Sequence, residues 1–114
     1  MFARSRFRII AGLLLAAGAC SATTAAPARR PAKTYTVVIA DMKFGAVPSS
    51  LRVGDTIRWI NRDIFRHSAT AADHSFDVDL VAGKSGGTLL RRAGTIAVTC
   101  KYHPGMKIRL TVAR

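Results

Sequence analysis

The chain predicts an all-β domain of the antiparallel sandwich class, and three observations carry that prediction. Short β-branched and aromatic runs recur between turn signals from Thr34 to Arg114. Two of these runs, near the C-terminal end, alternate apolar and polar residues with the period of a strand. The six acidic residues are all Asp, so Glu, a good helix former, is missing throughout.

The elements follow in order. Tyr35-Thr36-Val37-Val38-Ile39 is β-branched and aromatic and predicts a first strand. Ser50-Leu51-Arg52-Val53 predicts a short second one, closed by Gly54-Asp55. Thr56 to Asn61 places Ile57 and Trp59 on one face, with Trp59 in the core and its indole N–H in need of an acceptor. Ser68-Ala69-Thr70-Ala71 predicts a strand directly after His67. Asp73 to Gly87 is polar and rich in glycine, so it is expected to be a loop with little regular structure. Thr88 to Arg92 predicts a strand, and Ala93-Gly94 turns the chain. Thr95 to Cys100 sets Ile96, Val98 and Cys100 on one face. Met106, Ile108, Leu110 and Val112 share a face against Lys107, Arg109 and Thr111.

The 114 residues suffice for one domain. The first third does not read as part of it. Arg4, Arg6 and Arg8 precede an apolar run, Ile9 to Ala19, and small residues follow; this is the layout of a secretory signal peptide. Residues 1–22 are therefore expected to be targeting, with cleavage after Ala19, Ala22 or Ala28. Residues 23–33, with Pro27 and Pro31, read as a flexible linker, and the domain is expected over 34–114. The run before Cys20, Ala17-Gly18-Ala19, matches a lipoprotein signal poorly, so a membrane anchor at Cys20 is not expected. With Cys20 discarded, Cys100 is the only cysteine left and has no disulfide partner.

The net charge is +12. Without Arg4, Arg6 and Arg8, 15 basic residues stand against 6 acidic ones, a net of +9. Setting aside Arg29, Arg30 and Lys33 as well leaves 12 basic residues, a net of +6 on the domain. Such a surface favours acidic partners by long-range steering. Export and the lack of aromatics interleaved with Arg or Lys argue against nucleic acid.

The chemistry lies in Cys100-Lys101-Tyr102-His103-Pro104-Gly105-Met106, with His67 upstream. One thiolate, one thioether and two imidazoles form a soft-to-borderline donor set. Two His and one Cys with a weak axial Met is the composition of a blue-copper electron-transfer site. Zinc would accept the imidazoles and thiolate but has little use for Met106. Strand phase puts Cys100 and Met106 on buried faces and His103 at the tip of the loop between them. His74, in the polar loop, is expected to be exposed. A site closed by four protein ligands offers no position for a substrate, so no enzyme is expected.

These residues carry a resemblance. Asp41-Met42-Lys43-Phe44, Val53 to Asp63, His67, Ser75-Phe76-Asp77, Gly94-Thr95 and Cys100-x-x-His103-Pro104-x-Met106 resemble the cupredoxins, most closely amicyanin and small amicyanin-like bacterial cupredoxins. The resemblance implies a Greek-key β-sandwich with one type 1 copper, held by His67, Cys100 and His103 with Met106 axial. It implies one-electron shuttling in the periplasm, with the edge of His103 as the exit. The basic domain suggests an acidic cytochrome or dehydrogenase as partner, met by a monomer; Phe44, Pro48, Ile64, Phe65 and Pro104 are candidates for an apolar rim around His103, with Phe44 read more readily as a core residue. The competing reading is a periplasmic module for copper buffering or delivery. The chain departs from the family at Arg66, Ser68 and Gly105; the Ser68 hydroxyl is expected to tie the two ligand loops together. Arg66, Lys101 and Lys107 are expected to raise the reduction potential by their charge.

Overall fold

The computed structural model describes residues 11–21 and 30–114. The expected basic start, the cleavage points after Ala22 and Ala28, and residues 23–29 of the linker lie outside the described residues. Leu13, Leu14 and Leu15 are exposed and add nothing to the core. Among the described residues no helix is long and apolar enough to cross a membrane.

Eight strands form two four-stranded sheets: β1 (Thr34–Ala40), β2 (Lys43–Phe44), β3 (Thr56–Asn61), β4 (His67–Ala71), β5 (Asp77–Leu80), β6 (Ser85–Leu89), β7 (Gly94–Thr99) and β8 (Lys107–Val112). One sheet has the order β2-β1-β3-β6 and the other β5-β4-β7-β8. The inward faces supply one core, including Val37, Ile39, Ile57, Trp59, Leu80, Val98, Leu110 and Val112. Trp59 is wholly buried, and its indole N–H donates to Thr88 Oγ1 at 3.0 Å. The all-β sandwich expected from the strand pattern is what forms, with one parallel pair, β1 on β3, among antiparallel ones.

Three local differences have physical causes. The segment expected as a loop, Asp73 to Gly87, contains β5 and the start of β6. Asp77 and Asp79 are exposed while Leu80 is buried and Val78 half-buried, so strand alternation was present beneath residues of low β-propensity. Gly86 is needed in β6, because a Cβ there would lie 2.6 Å from Val78 Cγ1. The run Ser50 to Val53 makes only one bridge, Arg52 with Ala113, since the Asp55 carboxylate takes the Arg52 amide into a turn. The last strand expected before the Ala93-Gly94 turn ends at Leu89; Leu90 bonds instead to the backbone of Gly54 and Asp55.

β1 and β2 are joined by Asp41-Met42, both at positive φ (51° and 60°), as a two-residue type I′ hairpin requires. Asp tolerates that conformation; Met does not favour it. The Met42 amide is held by Asp63 Oδ2 at 2.9 Å, which fixes the turn against the metal-side loop.

Arg30, expected in a flexible linker, is pinned to the domain. Its guanidinium bonds both Asp55 oxygens, at 3.0 and 2.7 Å. Asp55 is 1% exposed and also accepts the amides of Lys33 and Arg52, each at 2.9 Å. The Arg30 hydrogen bonds hold its carboxyl far below the ordinary range, against the opposing effect of burial. A depressed folded-state value means stability that is present above about pH 4 and lost as pH falls below it. We expect Asp55→Asn to cost about 3 kcal/mol or more at neutral pH. The gap to wild type in denaturant melts should shrink steadily below about pH 4.

Candidate metal centre

The ends of β3, β5 and β7 and the starts of β4 and β8 meet at one pole. Asn61, buried at the end of β3, organises the loop that follows. Its amide donates to the carbonyls of Phe65 (2.7 Å) and Leu80 (2.9 Å), and its oxygen accepts the Asp63 amide (2.9 Å). His67, which opens β4 opposite Leu80, is thereby delivered wholly buried.

His67, Cys100 and His103 converge. Their donor atoms lie within 4.8 Å of one another. Cys100 Sγ is 3.8 Å from His67 Nδ1 and 3.7 Å from His103 Nδ1, and the two Nδ1 atoms are 3.2 Å apart. A trigonal centre with metal–nitrogen bonds of about 2.0–2.1 Å and a metal–sulfur bond of about 2.3 Å needs N···S edges of about 3.8 Å and an N···N edge of about 3.5 Å. The triangle fits that requirement. Met106 is buried in the same cluster as Cys100. The loop is closed by Cys100 N–H to the Met106 carbonyl (3.1 Å) and Met106 N–H to the His103 carbonyl (2.9 Å).

Two ties set the donors. The Ser68 amide donates to Cys100 Sγ at 3.3 Å, and the Ser68 hydroxyl accepts the Lys101 amide at 2.9 Å. The expected bridge between the ligand loops thus runs through both groups of one serine. Burial pushes the Cys100 thiol up, but hydrogen bonds from His67, the Ser68 amide and His103 outweigh it and bring it to about 6. The thiolate, the form that binds metal, is therefore favoured.

The second tie is Asp63, which sequence reasoning did not single out. Its Oδ2 lies 2.9 Å from His67 Nε2. A carboxylate there accepts a hydrogen bond from the Nε2 side of the ring and so turns the Nδ1 edge toward Cys100. The His67 hydrogen bond, with the Met42 amide, holds the Asp63 carboxyl below its usual range. The signal available was its position four residues before the histidine and two after Asn61.

The rim differs from expectation in its charges. Arg66 is paired with Asp79 and lies over the Tyr102 ring, 4.9 Å from its centroid. Tyr102 donates its hydroxyl to Asp79 at 3.2 Å, and Lys101 pairs with Asp77 at 3.0 Å. Arg66 and Lys101 are therefore not free cations. Of the apolar candidates around His103, Ile64 (83% exposed) and Phe65 (49%) stand out, with the Phe65 ring edge-on to His103, and Pro104 is exposed beside them. Phe44 is half-buried and packs edge-on to Trp59, on the core side. His74 is exposed, in a turn at φ 63°.

Asp63→Ala frees the His67 ring. It should weaken binding of a thiolate-seeking divalent ion such as Co(II) by about 10–100-fold in a chelator-competition titration.

No family model and no curated protein matches the chain. Solved structures do. A Cu(I) form of a methionine-to-alanine variant of amicyanin is 27% identical with a TM-score of 0.62; the match covers 69% of this chain and 81% of that one. An oxidised proline-to-alanine variant of amicyanin matches at 26% identity over the same shares, with a TM-score of 0.63. A reduced Cu(I) form at pH 4 of a proline-to-glycine variant of amicyanin matches at 26% identity over 75% of this chain and 86% of that one, with a TM-score of 0.61. The two-sheet sandwich, its all-β composition and these neighbours together show that the chain has the cupredoxin fold and resembles amicyanin in it.

Proposed function

We propose that the protein is a periplasmic type 1 copper electron carrier, with the metal held by His67, Cys100 and His103 and by Met106 as the axial ligand. The observation that carries this reading is the triangle of donor atoms, 3.2 to 3.8 Å on its edges, beside a buried methionine. A bound copper ion would supply one-electron exchange between Cu(II) and Cu(I). The protein residues do the rest. Asn61, Asp63 and Ser68 hold the donors in place before metal arrives, so little rearrangement accompanies a change of charge. Burial of His67 and Cys100 keeps bulk water and oxidants from the sulfur. His103, half-buried and flanked by Phe65, brings one ligand edge toward solvent and so gives a short route to a docked partner.

The exported form follows from residues 1–22 as a signal, 23–33 as a connecting segment and 34–114 as the domain. The positive net charge of that domain suits an acidic cytochrome or dehydrogenase, met by a monomer. Amicyanin-like neighbours and the lack of an open ligand position support a carrier rather than an enzyme.

Adding Cu(II) to the purified protein should give intense visible absorption from a copper–thiolate bond, reversibly bleached by a reductant. Cys100→Ser should abolish it. If the protein instead buffers or delivers copper, the visible band will be weak and Cu(I) will pass readily to a competing chelator.

The paired rim sets a second expectation. Asp79→Asn leaves Arg66 unpaired, and Arg66→Gln leaves Asp79 unpaired. The first should raise the reduction potential and the second lower it, both shifts shrinking as salt rises because the pair is exposed. Voltammetry at two ionic strengths measures both.

A further inference from the structure

The loop that carries His103 has little of its own to hold it. It closes on itself by two backbone bonds, Cys100 N–H to the Met106 carbonyl and Met106 N–H to the His103 carbonyl. Pro104 has no N–H to offer, and nothing lies within 4 Å of where a Gly105 Cβ would stand. Lys101, Tyr102, Pro104 and Gly105 are exposed. Yet His103 Nδ1 arrives 3.2 Å from His67 Nδ1, with Phe65 edge-on to its ring. Further support lies outside the donor triangle.

Two side-chain circuits lead from the loop to β4 and β5. The first is built on Tyr102. Arg66, the residue before His67, grips Asp79 with its fork, Nε to Oδ1 at 2.9 Å and a terminal nitrogen to Oδ2. The same guanidinium lies 4.9 Å from the centre of the Tyr102 ring, and the Tyr102 hydroxyl donates to Asp79 Oδ1 at 3.2 Å. The three side chains thus close a ring of contacts. A bidentate, stacked guanidinium imposes a direction that a simple ammonium would not.

The second circuit is built on Lys101. Its amide donates to the Ser68 hydroxyl at 2.9 Å, the Ser68 and Thr70 hydroxyls are 2.8 Å apart, and Thr70 donates to Asp77 Oδ1 at 2.9 Å. Because Thr70 gives its proton to Asp77, Ser68 gives its own to Thr70 and is left to accept from Lys101. The Lys101 ammonium returns to Asp77 Oδ2 at 3.0 Å and lies 5.6 Å from the Tyr102 ring. Lys101 is therefore held at its backbone and at its tip. Ser68 faces Asp79 and Thr70 faces Asp77 across the β4–β5 ladder, so both circuits refer the loop to the strand that begins with His67.

We propose that Tyr102 is a positioning residue for His103, clamped by Arg66, Asp79 and the Lys101–Asp77 pair so that the loop presents its histidine at the span the donor triangle requires, a role that rests on His103 being a metal ligand. A single exposed ion pair adds little to global stability. A loop opens locally, without unfolding the sandwich, and its opening equilibrium responds to small contributions that a global melt does not register. Tyr102 is one peptide bond from His103, so freeing its ring frees the histidine.

The test combines Co(II) binding in chelator competition with amide exchange in the metal-free protein. Tyr102→Ala, which changes no charge, should weaken Co(II) binding about tenfold. Tyr102→Phe, which keeps the ring beside Arg66, should weaken it by about threefold or less. Arg66→Gln separates positioning from charge. Removing a cation beside the site should by itself tighten binding of a divalent ion. Loss of the clamp should instead weaken it, by about three- to tenfold. Without metal, Tyr102→Ala and Arg66→Gln should each speed exchange of the Lys101 and Met106 amides at least about fivefold and leave the amides of β1 and β3 unchanged. Arg92→Gln, which breaks the exposed Arg92–Asp73 pair far from the loop, should change neither measurement. Circular dichroism melts establish that every variant is folded.

Wild-type Co(II) affinity in Tyr102→Ala, or equal or tighter binding by Arg66→Gln, would overturn the proposal. Unchanged exchange of the loop amides in Tyr102→Ala would overturn it as well. Failure of the wild type to bind Co(II) would instead overturn the metal centre, and amide exchange would then decide whether Tyr102 holds the loop.

Discussion

The structure depends on one serine holding two distant loops together. Ser68 and Cys100 are far apart in the chain, yet the Ser68 amide points at Cys100 Sγ while its hydroxyl takes the next amide, that of Lys101. Both groups belong to a wholly buried residue, so neither bond competes with water, and the hydroxyl is held further by Thr70 Oγ1 at 2.8 Å. The tie fixes the sulfur relative to β4 and therefore relative to His67, its neighbour in sequence. Cys100 then sets the origin of the tight loop that returns through His103 to Met106. Every donor position follows from this contact and from the Asn61–Asp63 network behind His67.

Around this centre the molecule is electrically uneven. Opposite charges at the metal end are arranged in pairs, with Tyr102 packed under Arg66 and near Lys101. Exposed pairs contribute little to stability. Their consequence is local: they take Arg66 and Lys101 out of the set of free cations beside His103. The excess positive charge is carried by cations at both ends and on the strand surfaces, among them Arg62, Lys84, Arg52 and Arg91. The Arg30–Asp55 latch, buried on the Asp55 side, lies at the end of the domain opposite His103, and it extends the folded unit four residues upstream of β1.

Much of this was legible in the residues themselves. The strand Thr56–Asn61 was readable because β-branched and aromatic residues alternate there without interruption. The burial of Cys100 and Met106 was readable from the phase of the runs flanking them, since a strand side chain's direction is set by counting in twos. The need of Trp59 for an acceptor was also plain, though not that Thr88 would meet it. β5 and β6 were hidden, because Asp and Gly mark loops on average and only a packing partner reveals why they are needed. Gly86 is small because Val78 fills the space where its Cβ would be.

The sequence by itself determined the ligand types, their spacing and the class of fold. Those follow from local chemistry: softness of donor atoms, period of alternation and turn-forming residues. Tertiary structure alone decided which carboxylate orients His67 and which cations are neutralised. Asp63, Asp79 and Asp55 look alike in the chain. One meets a buried imidazole, one an exposed guanidinium over a tyrosine, and one an arginine that reading along the chain assigned to a linker. A charge acts through its neighbours in space, and only the packing of the two sheets chooses those neighbours.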